Sequence, residues 1–204
     1  MDQQRKNTDD RRVRRTKKLL KDSLATLLME KNINDISVKE IVDLADINRG
    51  TFYLHYRDIY DMLNQIENEM IVDLNEIADK YPGLVLKGAP KPYIQEVFEY
   101  IKENSHFCAM LLGPYGDMAF VEKLKKMVEE QCFRSIMEAM PANELQNYQL
   151  FAAYTVSGCI GLLQNWMDNG MKMSPGELAQ VADDMIQNGV YFLHHTPEQT
   201  KAGR

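Results

Sequence analysis

The chain is poor in the residues that bring catalysis or cross-linking. Its three cysteines, Cys108, Cys132 and Cys159, are widely spaced and odd in number. They make no disulfide framework and read as small core residues in a reducing compartment. Of the four histidines, His106 stands alone and His194-His195 sits in a polar tail. No H-x-x-x-H or C-x-x-C spacing offers a metal site, and no glycine-rich phosphate loop follows a strand. A carboxylate pair brought together by folding is the one catalytic option left open, so neither an enzyme nor a cofactor is expected. No apolar run approaches the ~20 residues that span a bilayer, which excludes a membrane partner. The polar, charged start is unlike a signal peptide and predicts a cytoplasmic protein.

What is present is a core and an uneven charge. Hydrophobic residues make up 45% of the 204, ample for one large domain or two small ones. The net charge of −6 is not shared evenly: residues 1–60 hold 13 Lys+Arg against 10 Asp+Glu, and the remainder holds 11 against 20. Within residues 5–21 nine basic residues face two acidic ones. A positive head on an acidic body places cations where phosphates are met and repels nucleic acid elsewhere. A basic tail without a partner is the plainer alternative.

The stretch from Ser37 to Tyr56, SVKEIVDLADINRGTFYLHY, organises this head. Ser37 and Glu40 have the spacing of a capping box at a helix start. Val38, Ile41, Val42 and Ala45 then mark one buried helical face. Asp46-Ile47-Asn48 forms a turn, and Asn48 is a good N-cap for a second helix of about two turns. Two such helices joined by a three-residue turn have the size of a helix-turn-helix, whose second helix enters the DNA major groove. On that helix Phe52 and Tyr56, four apart, pack inward. Arg49 at its start suits guanine O6 and N7. Thr51, Tyr53 and His55 suit phosphate oxygens. A solvated polar helix in an all-helical domain is the competing interpretation.

The run from Val38 to Leu63, through Ala45-Asp46-Ile47, Thr51-Phe52-Tyr53, His55-Tyr56 and Asp61-Met62-Leu63, resembles the TetR/AcrR family of bacterial transcriptional regulators. The resemblance is specific over about the first sixty residues and looser over the helical remainder. It implies a homodimer on a palindromic double-stranded DNA operator, usually a repressor released by a small-molecule effector. Carried over by position, base contacts fall on Lys39, Arg49, Gly50 and Tyr53, and phosphate contacts on Ser37, Thr51 and His55. Two positions depart from the family. Asp46 stands where the turn usually has glycine, a substitution that left-handed geometry tolerates. Ile59 stands where a lysine usually meets phosphate, and Arg57 is the nearest substitute.

The expected architecture is therefore all-α with about nine helices. An N-terminal three-helix helix-turn-helix DNA-binding domain with a basic arm covers residues 1–57. A C-terminal helical ligand-binding and dimerisation domain covers 58–204. The arm, to about Asp9, is expected to be mobile. A first helix follows from about Asp10 to Lys31, with Val13, Thr16, Leu19, Leu20, Ser23, Leu24, Leu27 and Leu28 inward. Asp58 caps a fourth helix to about Lys80, with Tyr60, Leu63, Ile66, Met70, Leu74 and Ile77 on its apolar side; the resemblance makes it the link between head and body. Tyr81-Pro82-Gly83 and Gly88-Ala89-Pro90-Lys91-Pro92 mark a linker. Further helices are read over about 93–104, 106–112, 117–140, 143–169 and 175–193, the last opened by the capping box Ser174-Pro175-Gly176-Glu177.

The last two long helices carry small residues at close-packing positions: Ala152, Ala153, Ser157, Gly158 and Gly161, then Ala179, Ala182 and Gly189. Such residues suit a four-helix dimer interface, unless they pack only within one chain. A ligand pocket would be walled by Phe98, Phe107, Met110, Met127, Phe133, Tyr154 and Trp166, with Gln131 and Gln164 as polar fixers; ordinary core is the bland reading. The functional expectation is a ligand-responsive repressor. Alternatives are an activator, or a regulator or helical interaction module controlled by a partner protein.

Overall fold

Several helix starts along this chain carry their own side-chain caps, which help divide it into elements. The computed structural model describes residues 2–81, 89–113, 115–139 and 141–194, and side-chain environments for these apart from 2–10, 132–139, 142–145 and 189–194. Within them lie α1 (Asp2–Leu28), a 3-10 turn at Ile33–Asp35, α2 (Val38–Ala45), α3 (Arg49–Tyr53), α4 (Ile59–Asp79), α5 (Lys91–Glu103), α6 (Ser105–Leu112), α7 (Met118–Ala139), α8 (Ala142–Asp168) and α9 (Pro175–His194). There is no strand among the described residues. Both capping boxes form, Ser37 with Glu40 and Ser174 with Glu177. Asp58 accepts from the Asp61 N–H and Asp117 from the Ala119 N–H, so α4 and α7 start where their carboxylates cap them. Of the expected linker, residues 82–88 lie outside the described residues, while Lys91 and Pro92 already open α5, where proline is tolerated in the first turn.

The chain packs as two compact units. The first holds residues up to Ile71 together with Ser105–Phe120. In it α1 packs on α2 and α6, and α2 on α3. Leu20, Leu24, Ala25, Ile41, Phe52 and Met62 are fully buried there. The second holds Val72–Asn104 and the residues from Val121 onward. There α5 runs along α9, and α8 packs on α9. Phe98 and Trp166 meet at 6.2 Å between ring centroids, and the Trp166 indole donates to the Met173 carbonyl. Cys108 and Cys159 are free thiols, pushed up to about 12 and about 11 by burial, and stay protonated at neutral pH.

Several sequence expectations need correction. The stretch expected as a mobile arm is helical, because α1 starts at Asp2. Gln3, Gln4, Arg5 and Lys6 are good helix formers, and Asp2 suits the positive end of the helix dipole. Val13 and Leu19 are exposed: among the described side chains the buried stripe of α1 runs through Leu20, Ser23, Leu24, Ala25 and Leu28, with Leu19 beside it and Val13 before it. Tyr60 is exposed too. Ile59 and Met62 take the inward positions of α4 and turn Tyr60 outward, where its hydroxyl donates to Asn34. The second helix of the motif is shorter than two turns, at five residues.

Candidate nucleic-acid interface

The reversal between α2 and α3 rests on one residue. Asp46 sits at φ 53°, ψ 47°, the left-handed conformation in which the turn usually has glycine. The Ile47 N–H then reaches back to the Val42 carbonyl at 2.9 Å, closing the end of α2. The Asn48 side chain accepts from the Gly50 N–H at 2.8 Å and starts α3. Phe52 is fully buried and Tyr56 nearly so, with their rings 5.6 Å apart. These two anchors fix which side of α3 faces outward.

The outward side carries the residues read from the sequence. Lys39, Arg49, Gly50, Tyr53 and Arg57 are exposed, and Thr51 and His55 are half-buried. The Arg49 guanidinium donates to the Tyr53 hydroxyl at 3.1 Å and lies 5.6 Å from that ring's centre. The pair shares one helical face and orders the arginine before any partner arrives. Partial burial, then the Lys17 charge, pushes His55 below its ordinary value. At neutral pH it is therefore an uncharged imidazole that still donates one N–H.

Two residues are less free than the sequence implies. The Ser37 N–H and hydroxyl both donate to the same Glu40 oxygen, each at 2.9 Å. Any phosphate bond from Ser37 competes with the capping box. Glu40 is itself held well down, at about 2, first by Lys31 and then by Ser37. Arg57 donates to Asp61 from its backbone and from its guanidinium, at 2.9 and 3.3 Å, leaving other guanidinium N–H groups for a phosphate. Ile59, at the family's lysine position, is buried.

Two further residues were not singled out by sequence reasoning. Lys17, half-buried on α1, brings its ammonium 5.9 Å from the centre of the Tyr56 ring. Its only sequence signal was membership of the basic run. Leu54 is 79% exposed at the end of α3, an apolar group on an otherwise polar face. The Tyr56 hydroxyl is buried with no hydrogen-bond partner. Tyr56→Phe is therefore expected to raise stability by about 1 kcal/mol, read as a higher urea midpoint with unchanged slope. A loss of stability would show that the hydroxyl finds a partner in solution.

The residues expected to wall a ligand pocket are divided between the two units. Half-buried Phe107 and buried Met110 belong to the first unit. Phe98, Met127, Gln131, Tyr154, Gln164 and Trp166 belong to the second. There Phe98 and Trp166 are buried together, while Gln131 is exposed and donates to Asn75 at 3.0 Å. Met127 and Gln164 are half-buried, and Tyr154 is 70% exposed on α8. Phe133 lies outside the described side chains. Among the described residues no group of three His, Cys, Asp or Glu is placed to hold a metal ion. Nor is any helix long and apolar enough to cross a membrane.

An all-α chain with a capped helix-turn-helix at one end and a helical remainder is the architecture of a transcriptional regulator. Residues 88–188 match the TetR-type family described as "Transcriptional regulator C-terminal region". The regulator AcrR of Shigella flexneri is 23% identical over 176 residues, covering 74% of this chain and 78% of that protein. The uncharacterized regulator YxbF of Bacillus subtilis is 25% identical over 97 residues, 46% of this chain. That match spans about a quarter of YxbF, 26% of its length. A TetR regulator from Streptococcus agalactiae shares the fold with a TM-score of 0.56 at 20% identity, over 88% of this chain and 97% of that one. The chain belongs to the TetR/AcrR family of transcriptional regulators.

Proposed function

We propose that the chain is a ligand-responsive, homodimeric repressor released from a palindromic operator by a small molecule. The observation that carries the DNA-binding part is the outward face of α3, where Arg49, Gly50 and Tyr53 stand on a buried Phe52–Tyr56 anchor. In this reading residues 1–57 bind DNA and 58–204 regulate and dimerise. Arg49 reads a base edge, with Lys39, Gly50 and Tyr53 beside it. Thr51, His55, Ser37 and Arg57 meet phosphates, joined by Lys17. Leu54 offers an apolar contact of the kind a thymine methyl accepts.

Dimerisation is assigned to α8 with α9. Leu150, Ala153, Tyr154, Ser157, Gly158 and Gly161 lie on one exposed stripe of α8, and an added Cβ at either glycine would meet open space. Ala152, Ala179 and Ala182 are already buried within the chain, so they serve its own core. Gly189 lies outside the described side chains. Two copies joined there would hold their heads about 34–36 Å apart, one turn of DNA. An effector shifts that spacing only by its differential affinity for the two states, with α4 as transmitter.

A second reading, control by a partner protein, is favoured by the Phe98–Trp166 contact that fills part of the second unit. Selection from a random duplex library, with sedimentation of the complex, tests the proposal. Two chains per palindromic duplex, with affinity falling steeply in salt, are expected. A chain monomeric at micromolar concentration, or without salt-sensitive duplex affinity, would overturn it.

A further inference from the structure

We propose that the first unit carries a binding site for a small organic cation with an apolar body, such as an arylammonium. The site is a cavity of about 280 Å³ bounded by the end of α1, the first turn of α4, the end of α6 and the start of α7. This is close to the roughly 300 Å³ at which ligand pockets begin. Its depth is apolar, with Leu28, Met110 and Leu111 buried in the wall. Tyr60, Tyr115 and Met118 also line it and are 56%, 43% and 71% exposed. Three large exposed apolar side chains around one opening mark a surface built for contact.

The charge of the wall selects the occupant. Among the described residues no lysine, arginine or histidine lines the cavity, and the one acidic side chain is Asp117. The Asp117 carboxylate spends one oxygen on the Ala119 N–H, at 2.7 Å, and retains acceptor capacity for a cation. The Tyr60 hydroxyl is committed to Asn34 at 2.6 Å, so this residue has chiefly its ring to offer. Phenol rings attract ammonium groups through their quadrupole, and an organic anion would meet no cationic side chain among the described residues here.

The rim is set by backbone. A Cβ at Gly116 would collide with the Leu111 carbonyl. The Gly116 N–H also donates to Gly113 at 3.0 Å. The segment holding Tyr115 and Asp117 is thus seated against the end of α6 before a ligand arrives. That lowers the ordering cost of binding.

Calorimetric titration of the full chain with benzyltrimethylammonium, phenylacetate and benzyl alcohol tests this without any DNA. The cation is expected to bind saturably, and the other two at least tenfold more weakly. Asp117→Asn keeps an α7 cap, since asparagine caps as well as aspartate. It is expected to weaken the cation at least tenfold. Tyr115→Ala, at an exposed site, is expected to weaken it severalfold and serves if the first variant fails to fold. Glu99→Gln alters a separate acidic groove formed by α4 and α5 and is expected to change nothing. Equal affinity for phenylacetate, or no saturable binding at millimolar cation, would overturn the proposal. So would undiminished affinity in the folded Asp117→Asn and Tyr115→Ala chains, or loss in Glu99→Gln.

Discussion

Phe52→Ala is expected to lower stability by about 3–5 kcal/mol, the range for removing a fully buried phenylalanine. The ring is 0% exposed and lies 5.4 Å from Tyr53 and 5.6 Å from Tyr56, centre to centre. It also seats α3, a helix of five residues with little stability of its own. Truncation leaves a cavity beneath α3 that so short a helix can close only by tilting. Duplex affinity should therefore fall with stability, since Arg49 and Tyr53 ride on the same turn. Urea denaturation with and without duplex separates the two losses. Tyr53→Ala is the control, at a residue 48% exposed, and should cost well under half as much stability. Similar costs at the two positions would show that the core lies elsewhere.

The parts of this fold legible in the sequence were those settled within four residues. The capping boxes at Ser37-Glu40 and Ser174-Glu177, the Asn48 and Asp58 caps, and left-handed Asp46 all follow from a side chain and its near neighbours. The inward faces of α1 and α4 were less legible, because they depend on partner helices. Val13, Leu19 and Tyr60 have the right spacing for a buried stripe, yet their neighbours in space leave them exposed. The start of α1 holds good helix formers but no apolar residue from Asp2 to Asp9, so hydrophobic periodicity could not mark it. In the candidate interface, spacing located the α3 residues but not their competition. That Ser37 gives both donors to Glu40 is a matter of atoms. The approach of Lys17 to Tyr56 spans α1 and the end of the motif, and no local pattern announces it.

Arg49→Ala should cost about 1–3 kcal/mol in operator binding, a factor of roughly 5 to 150. The argument is geometric. Arg49 opens α3, is exposed, and has one guanidinium nitrogen held 3.1 Å from the Tyr53 hydroxyl. Four of its five N–H groups stay available, enough for a two-pronged contact with guanine. Its loss should therefore be concentrated at one base pair, so that the variant discriminates less among duplexes altered there. Arg57→Ala should behave differently. A phosphate contact is lost equally on all sequences, and the salt dependence of binding falls by about one unit of slope. Tyr53→Phe removes the hydroxyl that orders Arg49 and should produce a weaker version of the Arg49→Ala pattern. Competition titrations at fixed salt against a panel of single-base operator variants decide the matter. If Arg49→Ala weakens every duplex by the same factor, its guanidinium lies on phosphate, and base reading must come from Tyr53 on α3 and Lys39 on α2 instead.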